Sequence, residues 1–407
     1  MVQRFSLAMV LLLAAVVASA QITRTGWDEP VAGSLLSVVF QERVSPQEIF
    51  ARGIELFEQY ERPLPEYGAD VYRIIFWSAD FDGTPIHAHA LLVIPVANTP
   101  ISAPVLAFGS GTSGLGNHCA PSLEMPRFER LGWYKENMLD YAGQGIIAVF
   151  PDYIGFNNVK IPQRYFSKMA EGHVMLDSLR AARTVASSPR TIVRTRTTPA
   201  AEDFTAGYSQ GGHAALAAAD IRPDYAPEIN LIGAIGFGAT NSIEALWRDA
   251  GFYPPSIIYT FMQMYGRALV RPEQILQPQW LENLEYQVMS ECVFTFQFTY
   301  PHNVRGLFTE RFYNALMARR LDVEFPEIKR LLDENETGLT GHGLPVLMIQ
   351  GNQDIIATNA SQREFVQRLR ASGSDVIYIE MDNVRHRQTR PAGFAESVRF
   401  IRNLMGN

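Results

Sequence analysis

Cysteine is nearly absent from this chain: two residues in 407, Cys119 and Cys292. Neither lies in a sharp glycine-flanked turn, which argues against a cysteine nucleophile. Basic runs are missing as well, and the formal net charge is −7. That balance argues against nucleic acid as a partner and against electrostatic adhesion to anionic membranes. There is no low-complexity tract and no internal repeat. After residue 20 no stretch is apolar for the ~20 residues that a membrane-spanning helix needs. Metal ligands are sparse too. His87 and His89 alternate on one strand face without a third partner, and His118, His173, His302 and His342 have no constellation around them. The glycine-rich loop 109–116 lacks the lysine of a phosphate cradle. The sequence therefore calls for no metal and no organic cofactor.

What is present begins with an export signal. Arg4 supplies a basic start, Leu7 to Val17 an apolar core, and Ala18-Ser19-Ala20 a small-residue cleavage site before Gln21. The apolar run is short for a membrane span, and no cysteine follows Ala20 to carry a lipid. An exported chain with an even pair of cysteines favours one disulfide over two free thiols.

Short apolar runs then alternate with helical patterns. Ser45 and Pro46 introduce a helix over 47–59. Residues 71–77 and 86–94 flank Asp82-Gly83-Thr84, a hairpin signature. Buried strands follow at 103–108, 145–150, 202–206, 231–237, 345–350 and 375–380. Helices are expected at 172–186, 212–220, 361–370 and 392–404. This order predicts an α/β protein of the α/β-hydrolase kind: a mostly parallel sheet covered by helices on both faces, with the hairpin at one edge. Residues 240–341 break the alternation. They hold Trp247, Trp280, Pro254-Pro255 and many aromatic residues, too much for an ordinary loop. We read 1–20 as signal, 21–239 and 342–407 as two parts of one core, and 240–341 as a mainly helical cap inserted between them.

The chemistry is concentrated at Gly207-Tyr208-Ser209-Gln210-Gly211. This G-x-S-x-G pattern lies between a strand and an alanine-rich helix, where a sharp turn projects the serine toward a base. A serine hydroxyl needs that base to become a nucleophile, and the base needs an acid to orient it. In the order Ser, Asp, His, the acid should follow a late core strand, and Asp354 follows the run 345–350. Asp375 and Asp382 are the substitutes. The base should follow the last strand, and His386 is the one histidine after Asp354. Its neighbours Arg385 and Arg387 are expected to turn away from the imidazole. His213, inside the helix after the serine, reads as a hydrogen-bonded support. The oxyanion of an acyl-transfer intermediate needs two N–H donors. Gln210, after the nucleophile, should supply one, and Thr112 the other, with Gly111 close behind.

Together Ser110-Gly-Thr-Ser-Gly114, Cys119-Ala-Pro-Ser122, Pro151-Asp-Tyr-Ile-Gly155 and Gly207-Tyr-Ser-Gln-Gly-Gly212 resemble the secretory lipase family, over roughly residues 45–400. The resemblance implies an α/β-hydrolase with a helical lid before the acid, acting on acyl esters including triacylglycerols. It implies Ser209, Asp354 and His386 as the triad, and a disulfide from Cys119 to the lid, where Cys292 is the available partner. Asp152 and Tyr153 match a motif read as structural. The expected substrate is a small-molecule or lipid ester. The rival readings are a short-chain esterase or an acyltransferase on the same triad, a peptidase, and a catalytically silent binding module.

Overall fold

A computed structural model describes residues 30–123 and 132–406. The export signal expected at 1–20 lies outside the described residues. The sheet is assembled from β1 (Leu35–Val44), β2 (Gly68–Ala79), β3 (Pro85–Val96), β4 (Ile101–Gly109), β5 (Ile147–Pro151), β7 (Thr197–Tyr208), β8 (Leu231–Phe237), β9 (Pro345–Gly351) and β10 (Asp375–Met381), with a short β6 (Ile154–Asn157) outside it. Strand order is β1-β2-β3-β5-β4-β7-β8-β9-β10. β1, β2, β3 and β5 pair antiparallel, and from β5 onward every pairing is parallel. The expected hairpin is β2 and β3. The N-terminal β1, which the sequence pattern did not reveal, adds a further edge strand. Its side chains are mostly half-exposed, so it lacks the continuous apolar run that marks a buried strand.

Strands of the parallel part are apolar on both sides because both faces are covered. On β4 and β5, Val105, Ala107, Ile147 and Val149 pack toward α3 (Lys168–Ala186) and α5 (Gln210–Tyr225), giving one core. Leu106, Phe108, Ala148 and Phe150 alternate to the other face. There they meet α1 (Pro46–Phe57), α2 (Tyr134–Gly143) and the closing helix Thr389–Met405. α4 (Pro189–Thr195) leads into β7. Helix α1 starts where the sequence places it, with Ser45 Oγ accepting from the Glu48 N–H at 3.2 Å and Pro46 in the first turn.

Between β8 and β9 the chain runs through a series of short helices from Ile243 to Glu334. They share a core of their own, centred on Trp247 with Phe308 and Phe312. Leu115, Tyr165, Phe166 and Ile356 from outside the segment join that core, so it packs directly on the sheet assembly. Register sets the stage for the site: Gly109 lies opposite Gly207, and Gly207 opposite Gly236, at the carboxyl ends of β4, β7 and β8. Open α/β sheets bind ligands at that edge.

Candidate active site

Ser209 occupies the turn between β7 and α5. Its backbone is at φ 54°, ψ −116°, a conformation that a non-glycine residue adopts only under strain and under constraint from its surroundings. The constraint is visible. The Ser209 N–H donates to the Phe237 carbonyl at 2.9 Å, and its own carbonyl accepts from the Gly212 and Thr240 N–H groups. The flanking glycines are needed for space: a methyl on Gly207 would run into the Gly211 carbonyl, and one on Gly211 into that of Gly109. The backbone therefore aims the hydroxyl before any side-chain partner is considered.

Asp354 follows β9 directly, and its loop is tied across to the loop after β10. Asn352 N–H donates to the Met381 carbonyl and Gln353 N–H to that of Val384. Asp354 Oδ1 accepts from the Ile356 and Ala357 N–H groups at 2.8 and 3.0 Å, which fixes the carboxylate plane. Its Oδ2 lies 2.6 Å from His386 Nδ1, and His386 Nε2 lies 2.9 Å from Ser209 Oγ. A carboxylate that already accepts two N–H bonds favours a hydrogen on Nδ1, leaving Nε2 to accept from the serine hydroxyl. The three residues expected from the sequence thus meet in one hydrogen-bonded chain. All are buried, with Ser209 at 4% and His386 at 8% exposure.

Arg385 and Arg387 turn elsewhere. Arg385 caps the short turn at His386–Gln388, and the Arg387 guanidinium lies over the Phe294 ring, 4.7 Å from its centre. The Tyr208 ring packs against the imidazole at 5.0 Å.

The loop after β4 is held by three buried phenols. Tyr153 donates to the Ser110 carbonyl at 2.8 Å. The Gly111 N–H donates to Tyr134 Oη at 2.7 Å, and Thr112 Oγ1 lies 2.7 Å from Tyr165 Oη. Burial raises Tyr153 and Tyr165 well above the ordinary phenol range, so both keep their protons. Of the two residues expected to supply the second oxyanion donor, Gly111 has its N–H committed to Tyr134 Oη. Gln210 is the first residue of α5, where N–H groups have no partner within the helix.

The same loop is joined to the helical segment 243–334. Cys119 and Cys292 form a disulfide, Gly114 and Cys292 make a backbone bridge, and the Val293 N–H donates to the Ser113 carbonyl at 2.8 Å. Asp152 holds the turn that follows, accepting from the Ser122 N–H at 2.9 Å and from its hydroxyl. Among the described residues, the one group of side chains with metal-ligand spacing is His118, Cys119 and Cys292, and its two sulfurs are bonded to each other. His87 packs edge-on against Trp77 instead.

Sequence reasoning passed over Tyr134, Tyr165 and Glu171. Tyr134 lies on a helix that the pattern did not reveal. Glu171 lies just ahead of the expected start of helix 172–186, which in fact begins at Lys168.

Comparison with known proteins bears on the lineage and the fold of the chain. The family model described as secretory lipase matches residues 138–406, well over half of the chain. The secreted triacylglycerol lipase LIP5 of Malassezia furfur is 24% identical, over 80% of this chain and 84% of its own. Lipase A of Arthroderma benhamiae is 25% identical, over 83% and 71%. Among solved structures, the rice cell wall degrading esterase LipA of Xanthomonas oryzae superposes with a TM-score of 0.73 at 18% identity, covering 92% of this chain and 98% of that one. Candida antarctica lipase A in its closed state gives 0.62 at 18% identity, covering 92% and 82%. The two structural matches speak for the fold, and the family match for the lineage. The chain belongs to the secretory lipase family and is a carboxylic ester hydrolase of α/β-hydrolase fold.

Proposed function

We propose that the chain is an exported serine hydrolase that cleaves apolar acyl esters through an acyl-enzyme on Ser209. One observation carries the reading: the continuous line from Ser209 Oγ through His386 to Asp354, with contacts of 2.9 and 2.6 Å. Ser209 Oγ attacks the ester carbonyl while its proton passes to His386 Nε2. Asp354 holds the ring and stabilises the imidazolium. The carbonyl oxygen becomes an oxyanion, which in this reading the N–H groups of Gln210 and Thr112 receive. His386 returns the proton to the departing alkoxide, leaving the acyl group on Ser209. Water then repeats the sequence and releases the acid.

Residues 240–341 act in this reading as a cap over the site, dividing the core into the parts 21–239 and 342–407. Its aromatic and apolar content supports a pocket for an acyl chain. A triacylglycerol lipase among the relatives points the same way. Export follows from the basic and apolar start of the chain, with cleavage after Ala20, which N-terminal sequencing of the exported protein checks.

The test is hydrolysis of p-nitrophenyl esters from acetate to palmitate, with Ser209→Ala alongside. Turnover that rises with chain length and vanishes in the variant is expected. Turnover confined to acetate and butyrate would make it a short-chain esterase on the same triad. Retained turnover in Ser209→Ala would remove the triad reading altogether.

A further inference from the structure

Beneath the nucleophile turn lies a carboxylate with no part in the triad. Glu171, 1% exposed, sits in the first turn of α3, whose N-cap is Ser167. Its Oε1 accepts from Gln210 Nε2 at 2.7 Å and from the Phe166 N–H at 3.0 Å. Its Oε2 lies 2.6 Å from His213 Nδ1. His213 Nε2 in turn meets the Asn335 carbonyl at 2.6 Å. A carbonyl only accepts, so Nε2 carries a hydrogen, and one further proton is shared between Nδ1 and Oε2. A buried carboxylate persists only when it is paired and hydrogen-bonded in this way.

The two bonds to Oε1 lead to different places. Gln210 carries the backbone N–H that follows the nucleophile. Phe166 has φ 56°, a left-handed conformation that strains a bulky residue and needs outside support. Its neighbour Tyr165 is the phenol in contact with Thr112 Oγ1. One side chain therefore reaches both oxyanion residues, directly on one side and through Phe166–Tyr165 on the other. Through His213 it also reaches Asn335, the C-cap of the helix Pro326–Glu334 in the inserted segment.

We propose that Glu171, paired with His213, is a positioning residue that holds Gln210 and Thr112 in register as the two halves of the oxyanion hole. The inference rests on the triad reading. Its physical content is that N–H donors serve only within about 2.7–3.1 Å of where the oxyanion forms. Because that charge develops after substrate has bound, misplacing the donors lowers kcat and spares KM.

Two variants test it. Glu171→Ala removes the oxygen that accepts from both Gln210 Nε2 and the Phe166 N–H. Gln210→Ala removes one tether and keeps the backbone N–H. We would measure kcat and KM on a butyrate ester, normalised by titrating Ser209 with a phosphonate. The Ki of an alkylboronic acid, whose tetrahedral adduct places an oxygen in the hole, is read in parallel. In both variants kcat should fall about 10-fold or more, against the 100-fold to 1,000-fold that loss of a whole donor costs. KM should stay within about 2-fold, and the boronate Ki should rise in step with the loss in kcat. A merely structural role would lower the melting temperature and leave kcat per titrated site and Ki unchanged, overturning the proposal. If Glu171→Ala does not fold, Gln210→Ala decides alone, and an unchanged kcat and Ki there would overturn it equally. Ser209→Ala separates the two levels: retained turnover sinks the triad itself, whereas lost turnover with normal Glu171→Ala and Gln210→Ala kinetics sinks only the positioning role.

Discussion

At the carboxyl ends of β4, β7 and β8 the chain is almost bare of side chains. Gly109, Gly207 and Gly236 stand abreast, and backbone groups fix Ser209 through contacts that tolerate no added methyl. The segment between β8 and β9 is the opposite. Its helices are short, and it coheres through large side chains, with Trp247 fully buried against Phe308 and Phe312. The two regions meet at the loop after β4, where Cys119 is bonded to Cys292 and Gly114 bridges to it. The difference teaches a division of labour. Backbone packing locates Ser209, whereas side-chain packing and a crosslink locate the inserted segment. Changes on the first side should therefore read out in kcat, and changes on the second in stability.

The largest effect should come from the sheet side. Asp354→Asn is expected to lower kcat by about 10⁴-fold, because the imidazole loses the partner that sets its tautomer. The melting temperature should move little, since an amide oxygen can still accept the Ile356 and Ala357 N–H groups. A loss under about 10-fold in steady-state turnover would remove Asp354 from the triad.

On the other side, Trp247→Ala should cost about 3–5 kcal/mol, the range for emptying a large buried aromatic site. Urea unfolding followed by circular dichroism measures it. A single shifted transition would mean that sheet and insertion unfold as one unit. A separate early transition would sharpen the distinction by showing that the aromatic core melts on its own.

Removing the crosslink probes the seam between the regions. It joins positions 173 residues apart, and the double variant Cys119→Ala, Cys292→Ala should lose about 2–4 kcal/mol, the usual range for a disulfide. If its unfolding midpoint matches that of the parent protein, the backbone bridge and the aromatic core suffice to seat the segment. The smallest expected change is Tyr165→Phe, which removes the hydroxyl at Thr112. Loss of that hydrogen bond, worth about 1 kcal/mol, should lower kcat/KM roughly 5-fold. An unchanged kcat/KM would mean that Thr112 is held without Tyr165.

Much of this arrangement is legible in the chain because it depends on local constraint. A strand buried on both faces must be an apolar run, so 103–108, 145–150 and 231–237 stand out, and each lies within or largely overlaps a strand. A turn as tight as that at Ser209 must be flanked by glycine, so Gly207 and Gly211 mark it. The expected order of Ser, Asp and His along the chain follows from which strands precede them, and this brings Asp354 and His386 into view. The edge strand β1 and helix α2 were not legible in the same way. The first is half-exposed along its length, and the second has an apolar side without strong periodicity, because most of its residues are buried.

By itself, then, the sequence determined the α/β class, the place of the insertion and the three residues now joined through His386, because each depends on short-range chemistry written in consecutive residues. Only the tertiary structure decided that Gly111 is engaged by Tyr134 while Thr112 leans on Tyr165, and that Glu171 binds both Gln210 and Phe166. Those contacts join residues up to 53 positions apart. They depend on which buried polar groups find one another once the helices have packed, and a satisfied hydrogen bond in a core leaves no periodic trace along the chain.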